Sequence, residues 1–210
     1  MADILLDVQG AVSTPAAGQA VVYVDSTSKR ILCKNDAGRV LSAPVITNAN
    51  TADVVASAAD TYLTGSSIAL SPYTMQVGTM FRWRFVMTKS AAGTAAPIWV
   101  VRVGTAGSTA DTARLTFTQI ALQTAVVDTG MVDITAIVRS IGAAGVMAGG
   151  LQMGHVLAAT GFSTLNHNVL SVVSAGFDTT PTNLIVGVSV NPGASGVWTH
   201  TSVMVEAMGI

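Results

Sequence analysis

Charged residues are scarce in this chain of 210 residues. Lys and Arg number 10 and Asp and Glu number 11, which together make 10% of the sequence, against about 25% in soluble proteins. Aromatic residues are also few, at 5%, and the formal net charge is −1. Nucleic-acid binding rests on clustered Lys and Arg that displace counterions from phosphates. The composition therefore excludes nucleic acid as a partner.

Cysteine, uninterrupted apolar runs and a basic N-terminus are missing as well. The single Cys33 excludes an intramolecular disulfide and a multi-cysteine metal site. The longest charge-free stretch, residues 140–177, is broken by His155 and by repeated Gly, whereas a spanning helix needs about 20 predominantly apolar residues. Asp3 and Asp7 stand where a signal peptide would carry Lys or Arg. We expect neither membrane insertion nor a secretion signal.

The charges that are present divide the chain unevenly. Eight of the 21 lie in the first 43 residues, and after Arg139 only Asp178 and Glu206 are charged. Pro44 disfavours helical geometry in the residue before it, which is typical of a connector. We therefore predict an N-terminal segment over residues 1–45, a connector over 46–60 and a larger domain over 61–210.

Both parts read as β-structure. Residues 19–41 alternate β-branched runs with Asp, Ser, Asn and Gly turn clusters, which predicts a small β-meander that is too small to be stable alone. In the body, residues 80–87 place four apolar side chains on one face and two arginines on the other, and similar runs recur at short spacing. The predicted fold is all-β, a meander followed by an antiparallel, jelly-roll-like β-sandwich. Its predicted core includes Phe81, Trp83, Phe85 and Trp99, with Arg82 and Arg84 facing away.

The residues that could carry chemistry do not form a recognisable catalytic pattern. Asp111, Asp128 and Asp178 stand in turn-like contexts, where Asp bonds the local backbone. The histidines lack metal-ligand spacing; they are His155, His167 and His200. We expect no catalytic residues, no cofactor and no metal, and hence no enzyme. A depolymerising hydrolase would need two carboxylates in one groove, and a His meeting its copies on a threefold axis stays open.

Self-association of the chain would explain why it has so few charged residues. Subunit interfaces are depleted in Lys, Glu and Asp, and uncharged Ser, Thr, Gly and Ala can form the remaining exterior. We therefore expect a homo-oligomer.

Two sets of residues resemble the virion proteins of tailed bacteriophages. Residues 15–38 have the pattern of a short N-terminal element of such proteins, carried here by Pro15, Ala17, Gly18, Tyr23, Leu32, Lys34 and Gly38. The body resembles a recurring phage structural module in five stretches, namely residues 62–66, 78–85, 87–94, 103–107 and 188–200. The resemblance implies an N-terminal attachment segment and a projecting β-sandwich that assembles as a homotrimer.

The expected function is a non-enzymatic structural component of a phage virion. The short connector favours a capsid decoration or head-fibre protein, exposed on the particle surface after assembly in the host cytoplasm and bound to capsid or tail proteins. The alternative is a tail-associated adhesin that binds host glycan through its loops, at residues 90–96, 105–112 and 191–198. The candidate anchoring residues are Val21, Tyr23, Ile31 and Leu32, and the candidate ligand-facing residue is Trp198.

Overall fold

The fold was obtained as a computed structural model, in which β-strands form three sheets. It describes residues 8–9, 12–27, 31–37, 40–42, 46–71, 75–119, 123–155, 161–163 and 167–209. Over these ranges the chain forms sixteen strands and no helix. No helix long and apolar enough to cross a membrane is found there.

The first sheet is the predicted N-terminal meander, and it contains four strands in the order β1-β2-β3-β4. Strand β1 pairs parallel with β2, and the other two pairings are antiparallel. The Lys34 ammonium donates to the carbonyl of Val12 at 2.7 Å, and the amide of Gly18 donates to Asp36 at 2.7 Å. These contacts hold the preceding segment against the meander. The strands are β1 (Val8–Gln9), β2 (Ala20–Asp25), β3 (Ile31–Asn35) and β4 (Val40–Ser42).

The larger body sheet contains seven strands in the order β14-β13-β12-β9-β16-β5, and β6 also pairs with β16. All its pairings are antiparallel. The strands are β5 (Ile46–Asn50), β6 (Val54–Ser57), β9 (Met80–Lys89), β12 (Asp128–Ser140), β13 (Val146–His155), β14 (His167–Val173) and β16 (Val197–Met208).

The smaller body sheet contains five strands in the order β11-β10-β15-β7, and β8 also pairs with β15. The chain crosses between the body sheets repeatedly, for example from β9 to β10 and from β15 to β16. The strands are β7 (Thr61–Tyr62), β8 (Ile68–Ala69), β10 (Ile98–Gly104), β11 (Thr112–Thr118) and β15 (Ile185–Asn191).

The core lies between the two body sheets and confirms the predicted β-sandwich. Phe81, Trp83 and Phe85 of the larger sheet are fully buried, as is Trp99 of the smaller sheet. Phe85 stacks on Trp99 with ring centroids 5.2 Å apart, so the contact joins the two sheets. Period-2 alternation places Arg82 and Arg84 on the opposite face of β9, as predicted.

The predicted connector has a different structure. Residues 46–50 and 54–57 form β5 and β6, which pair antiparallel with β16. Ala56 is fully buried in the core. The sandwich therefore begins at residue 46 and not at residue 61. The sequence does not reveal this, because these strands are held by backbone pairing with β16 and their side chains show little apolar alternation.

Candidate functional site

The candidate functional surface is the outer face of the larger sheet, which is the side turned away from the smaller sheet. Strand register aligns outward side chains in rows across the sheet. One row runs from Val169 through Gln152, Asp133 and Arg84 to Met204. The next row runs from Ser171 through Gly150, Thr135 and Arg82 to Glu206. We refer to this surface as the open face.

Large apolar side chains are exposed across the open face. Their exposed fractions range from 42% to 62%, so the chain itself leaves them open to solvent. Single exposed apolar residues are ordinary, but six large ones on one face of a sheet favour an interaction surface. The set consists of Val86, Met131, Ile137, Val169, Val173 and Met204.

An ionic cluster lies at the centre of the open face. The Asp133 carboxylate accepts hydrogen bonds from Arg82 at 2.6 Å and from Arg84 at 3.2 Å. Partial burial acts to raise the pKa of Asp133, but the hydrogen bonds from the two guanidiniums outweigh it and hold that pKa below its usual range. Glu206 lies opposite Arg82 on β16. The cluster therefore has two positive and two negative groups and no net charge.

Two grooves flank the ionic cluster. The larger, of about 520 Å³, lies toward β14 and is lined by polar and small residues that include Thr135, Gly150 and Ser171. The smaller, of about 250 Å³, lies toward β5 and contains Asn48 and Met204. A side chain at position 150 would have room, because an added Cβ would meet only the Leu170 carbonyl at 3.5 Å. The open face thus has both protruding side chains and depressions.

The outer face of the smaller sheet is covered by its own polar side chains. Arg102 ion-pairs with Asp60 and donates to the Ser189 hydroxyl at 2.8 Å and to the Asp111 carbonyl at 2.6 Å. Burial raises the pKa of Tyr62 to about 12, with a further increase from Asp111. Ser189, which lies under this layer, is fully buried. The two outer faces therefore differ: among the described residues, large exposed apolar side chains lie on the outer face of the larger sheet and none lies on that of the smaller sheet.

Buried polar side chains stabilise the loops at one end of the sandwich. The Lys89 ammonium donates to the carbonyls of Ser90, Ala92 and Thr124 at 3.1, 2.7 and 2.8 Å. Burial lowers the pKa of Lys89, and the charge of Asp128 partly offsets that effect. Lys89 thereby connects the loop before β10 to the loop before β12.

A histidine–carboxylate pair lies at the same end. His155 Nδ1 is 2.7 Å from Asp128 Oδ2, and Asp128 also accepts the amides of Thr129 and Phe162. Such a pair could transfer protons if a substrate reached it. Both side chains have no exposed surface, however, so the geometry supports a structural role. The sequence context of Asp128 predicts a turn, but this residue instead begins β12.

The other predicted turn residues behave as expected. Asp111 accepts the amides of Ala106 and Gly107 at 2.9 and 2.7 Å, and Asp178 accepts the amide of Thr180 at 2.9 Å. Among the described residues, no group of three or more His, Cys, Asp or Glu side chains could hold a metal ion. The side chain of His167 lies outside the described set.

The prediction that Trp198 faces a ligand is wrong. It lies on β16, is fully buried, and donates from Nε1 to Gln123 Oε1 at 2.9 Å. Phe162 packs edge-on against it, with ring centroids 5.0 Å apart. Because the indole fills the core, it cannot stack on a sugar at the surface. The candidate loops are also divided: residues 90–96 and 191–196 meet at one end, and 105–111 lie at the other.

The four candidate anchoring residues do not share one face of the N-terminal sheet. Register pairs Tyr23 with Leu32 and Val24 with Ile31, so Ile31 points away from Tyr23 and Leu32, and Val21 shares the face of Tyr23. Tyr23 is 7% exposed, whereas Ile31 is 56% exposed. Val22, which alternation places on the side of Ile31, is 51% exposed. The anchoring role stays a prediction, and Ile31 is the member of the set most available to a partner.

Sequence reasoning missed the partners within the open face. Alternation placed Arg82 and Arg84 away from the core, but it could not show that β12 lies beside β9 and brings Asp133 to them. Gln123 was missed because no local pattern relates it to Trp198. No protein-family model and no curated protein matches the chain.

Proposed function

We propose that the protein is a non-enzymatic structural component of a tailed-bacteriophage virion, a projecting decoration or head-fibre protein. In this proposal the N-terminal sheet attaches the chain to a capsid or tail protein, and the sandwich projects as part of a homotrimer. The observation that carries the proposal is the division of the chain into a small separate sheet and a large sandwich.

The small sheet suits attachment better than independent stability. A four-stranded sheet of short strands buries little apolar surface, and stable sheets need a packed face. Its exposed Val22 and Ile31 form an apolar pair that a partner surface can cover. The sandwich, by contrast, has a complete core of its own.

Incorporation into particles tests the proposal. Particles lacking the protein are supplied with the full chain, with a chain lacking residues 1–42, or with Ile31→Glu, and are then purified by density gradient. We expect the full chain to co-purify and both variants to be lost. Ala16→Glu, which changes an exposed residue of the same segment that is not one of the pattern residues, serves as the matched control and should be retained. Retention of the truncated chain would overturn the attachment role.

Immunogold labelling of intact particles identifies the site of attachment. Label over the shell supports a decoration or head-fibre protein. Label confined to the tail supports the alternative, an adhesin for host glycan. That alternative now has less support, because its stacking residue Trp198 is part of the core.

A further inference from the structure

We propose that the open face of the larger sheet is the surface through which copies of this chain associate. The inference deepens the proposed function, since it assigns the homo-oligomer contact to a particular surface, and it rests on that function only for the biological setting. The partner is a second copy of the same chain and not an unrelated protein.

The size of the open face suits a subunit contact. Six paired strands at about 4.8 Å spacing and four rows of outward side chains span roughly 24 Å by 20 Å. That is on the order of 500 Å² before side-chain relief is added, and a stable interface buries about 800 Å² on each partner. The exposed apolar side chains are spread over this area and not gathered at one edge, so a partner would cover most of it.

Charge favours a second copy over a partner of strong charge. The central cluster of Arg82, Arg84, Asp133 and Glu206 carries equal numbers of positive and negative groups. A strongly acidic or basic partner would meet like charge as often as opposite charge. A copy of the same face brings both signs, so each guanidinium can approach a carboxylate of the other copy.

The shape of the open face also favours a second copy of the chain as its partner. The open face carries protruding side chains, such as Met131 at 46% exposure and Met204 at 44%. It also carries the groove beside Gly150, of about 520 Å³. Methionine adapts its shape to irregular gaps. One surface therefore supplies both protrusions and depressions, so in a threefold assembly the part of the open face around Met204 can pack against the part around Gly150 in the neighbouring copy.

The oligomeric mass and one charge substitution test the inference. Light scattering after size exclusion should give the wild type a whole multiple of 21.3 kDa, three for the trimer. Val169→Glu places an unpaired charge in the contact, and we expect the concentration at which the oligomer dissociates to rise at least about tenfold. Val77→Glu is the matched control, because Val77 is 63% exposed, Val169 is 62% exposed, and Val77 lies in a turn outside the face.

A second variant guards against loss of folding. Gly150→Gln fills the groove from a position where an added Cβ makes only ordinary contact within the chain, and we expect it to weaken association as well. Near-ultraviolet circular dichroism of the three buried tryptophans verifies the fold of each variant. A wild type of 21.3 kDa, or two folded variants that keep the wild-type mass, would overturn the inference. Particle incorporation, tested separately, would be unaffected by that result.

Discussion

At the scale of single residues, buried polar side chains stabilise the loops of this sandwich through hydrogen bonds. Lys89 is 1% exposed, and its ammonium satisfies three carbonyls of two different loops. An unpaired buried carbonyl costs about 1–3 kcal/mol. The loops therefore depend on one side chain in a way that apolar packing alone would not produce.

Lys89→Met should lower the free energy of unfolding by about 2–4 kcal/mol, because the methionine fills similar space but donates no hydrogen bond. Urea denaturation followed by tryptophan fluorescence measures the change. Lys34→Met is the matched control: Lys34 donates to one carbonyl, in the N-terminal sheet, and its loss should cost less than about 1 kcal/mol. Equal effects of the two substitutions would contradict the assigned role of Lys89.

His200 gives the fold a specific pH dependence. Burial lowers the pKa of His200 to about 4, although its hydrogen bond to the Val54 carbonyl acts in the opposite direction. The unfolded chain binds a proton near pH 6.5, whereas the folded chain excludes it until about pH 4. The stability that the neutral ring provides is therefore complete above pH 6.5 and is lost as the pH falls toward 4.

We expect His200 to account for up to roughly 3 kcal/mol of the fall in unfolding free energy between pH 7 and pH 4. His200→Phe suits the site because the ring packs edge-on against Trp99 and Phe85. Urea denaturation of both proteins at several pH values isolates the contribution as the difference in slope. Parallel pH profiles would show that His200 does not titrate in this range.

At the scale of elements, the contact between β5 and the turn after β7 joins the start of the sandwich to its smaller sheet. Gly65 has φ +86°, and a Cβ there would lie 2.5 Å from the Asn50 Cβ and 2.7 Å from the Asn50 amide nitrogen. Gly78 has a similar φ of +88° but an open surrounding. Alanine substitutions at the two positions would cause similar backbone strain, but only the one at residue 65 would also cause a steric clash.

Gly78→Ala should cost about 1–2 kcal/mol, the strain of left-handed backbone alone. Gly65→Ala should cost about 2 kcal/mol more, because Asn50 and the backbone of β5 must also move. Thermal and urea unfolding of the pair measure the difference. If Gly65→Ala were no worse than Gly78→Ala, the close approach of β5 to this turn would be wrong.

Alternation in the sequence predicted the central strands but not the edge of the larger sheet. Strand β9 has an apolar and an arginine face, so its core residues and outward residues could be assigned directly. Strand β5 has mostly exposed side chains, which leave no apolar period to detect. Trp198 was misplaced for a related reason: it follows a Gly-rich loop, and only pairing with Ala56 and Lys89 identifies it as the start of a central strand.

At the scale of the whole molecule, the sandwich should be independent of the N-terminal sheet. A chain that begins at residue 44 keeps every strand of both body sheets, and we expect its free energy of unfolding to remain within about 1 kcal/mol of the full chain. A chain that begins at residue 61 loses the five register pairs of β5 and the four of β6 with β16. At about 1 kcal/mol for each hydrogen bond, it should lose about 5 kcal/mol or more.

Urea denaturation of the two truncated chains provides the measurement. The comparison also tests where the sandwich begins: the charge distribution ended the N-terminal segment at residue 45, and the part that the structure overturns is the connector at residues 46–60. A stable chain starting at residue 61 would restore the connector at residues 46–60.

The position of β5 determines when the larger sheet can be completed during synthesis. Its partner residues lie about 150 positions later, as in the pairing of Asn50 with Val203. A ribosome adding about 5–20 residues per second needs roughly 8–30 s to cover that interval. During this time β5, β6 and one side of β9 have no partner strand to close against. The pairings of β9, β12, β13 and β14 can form in chain order, but the half of the sheet that contains β5 and β6 can close only after β16 has been synthesised.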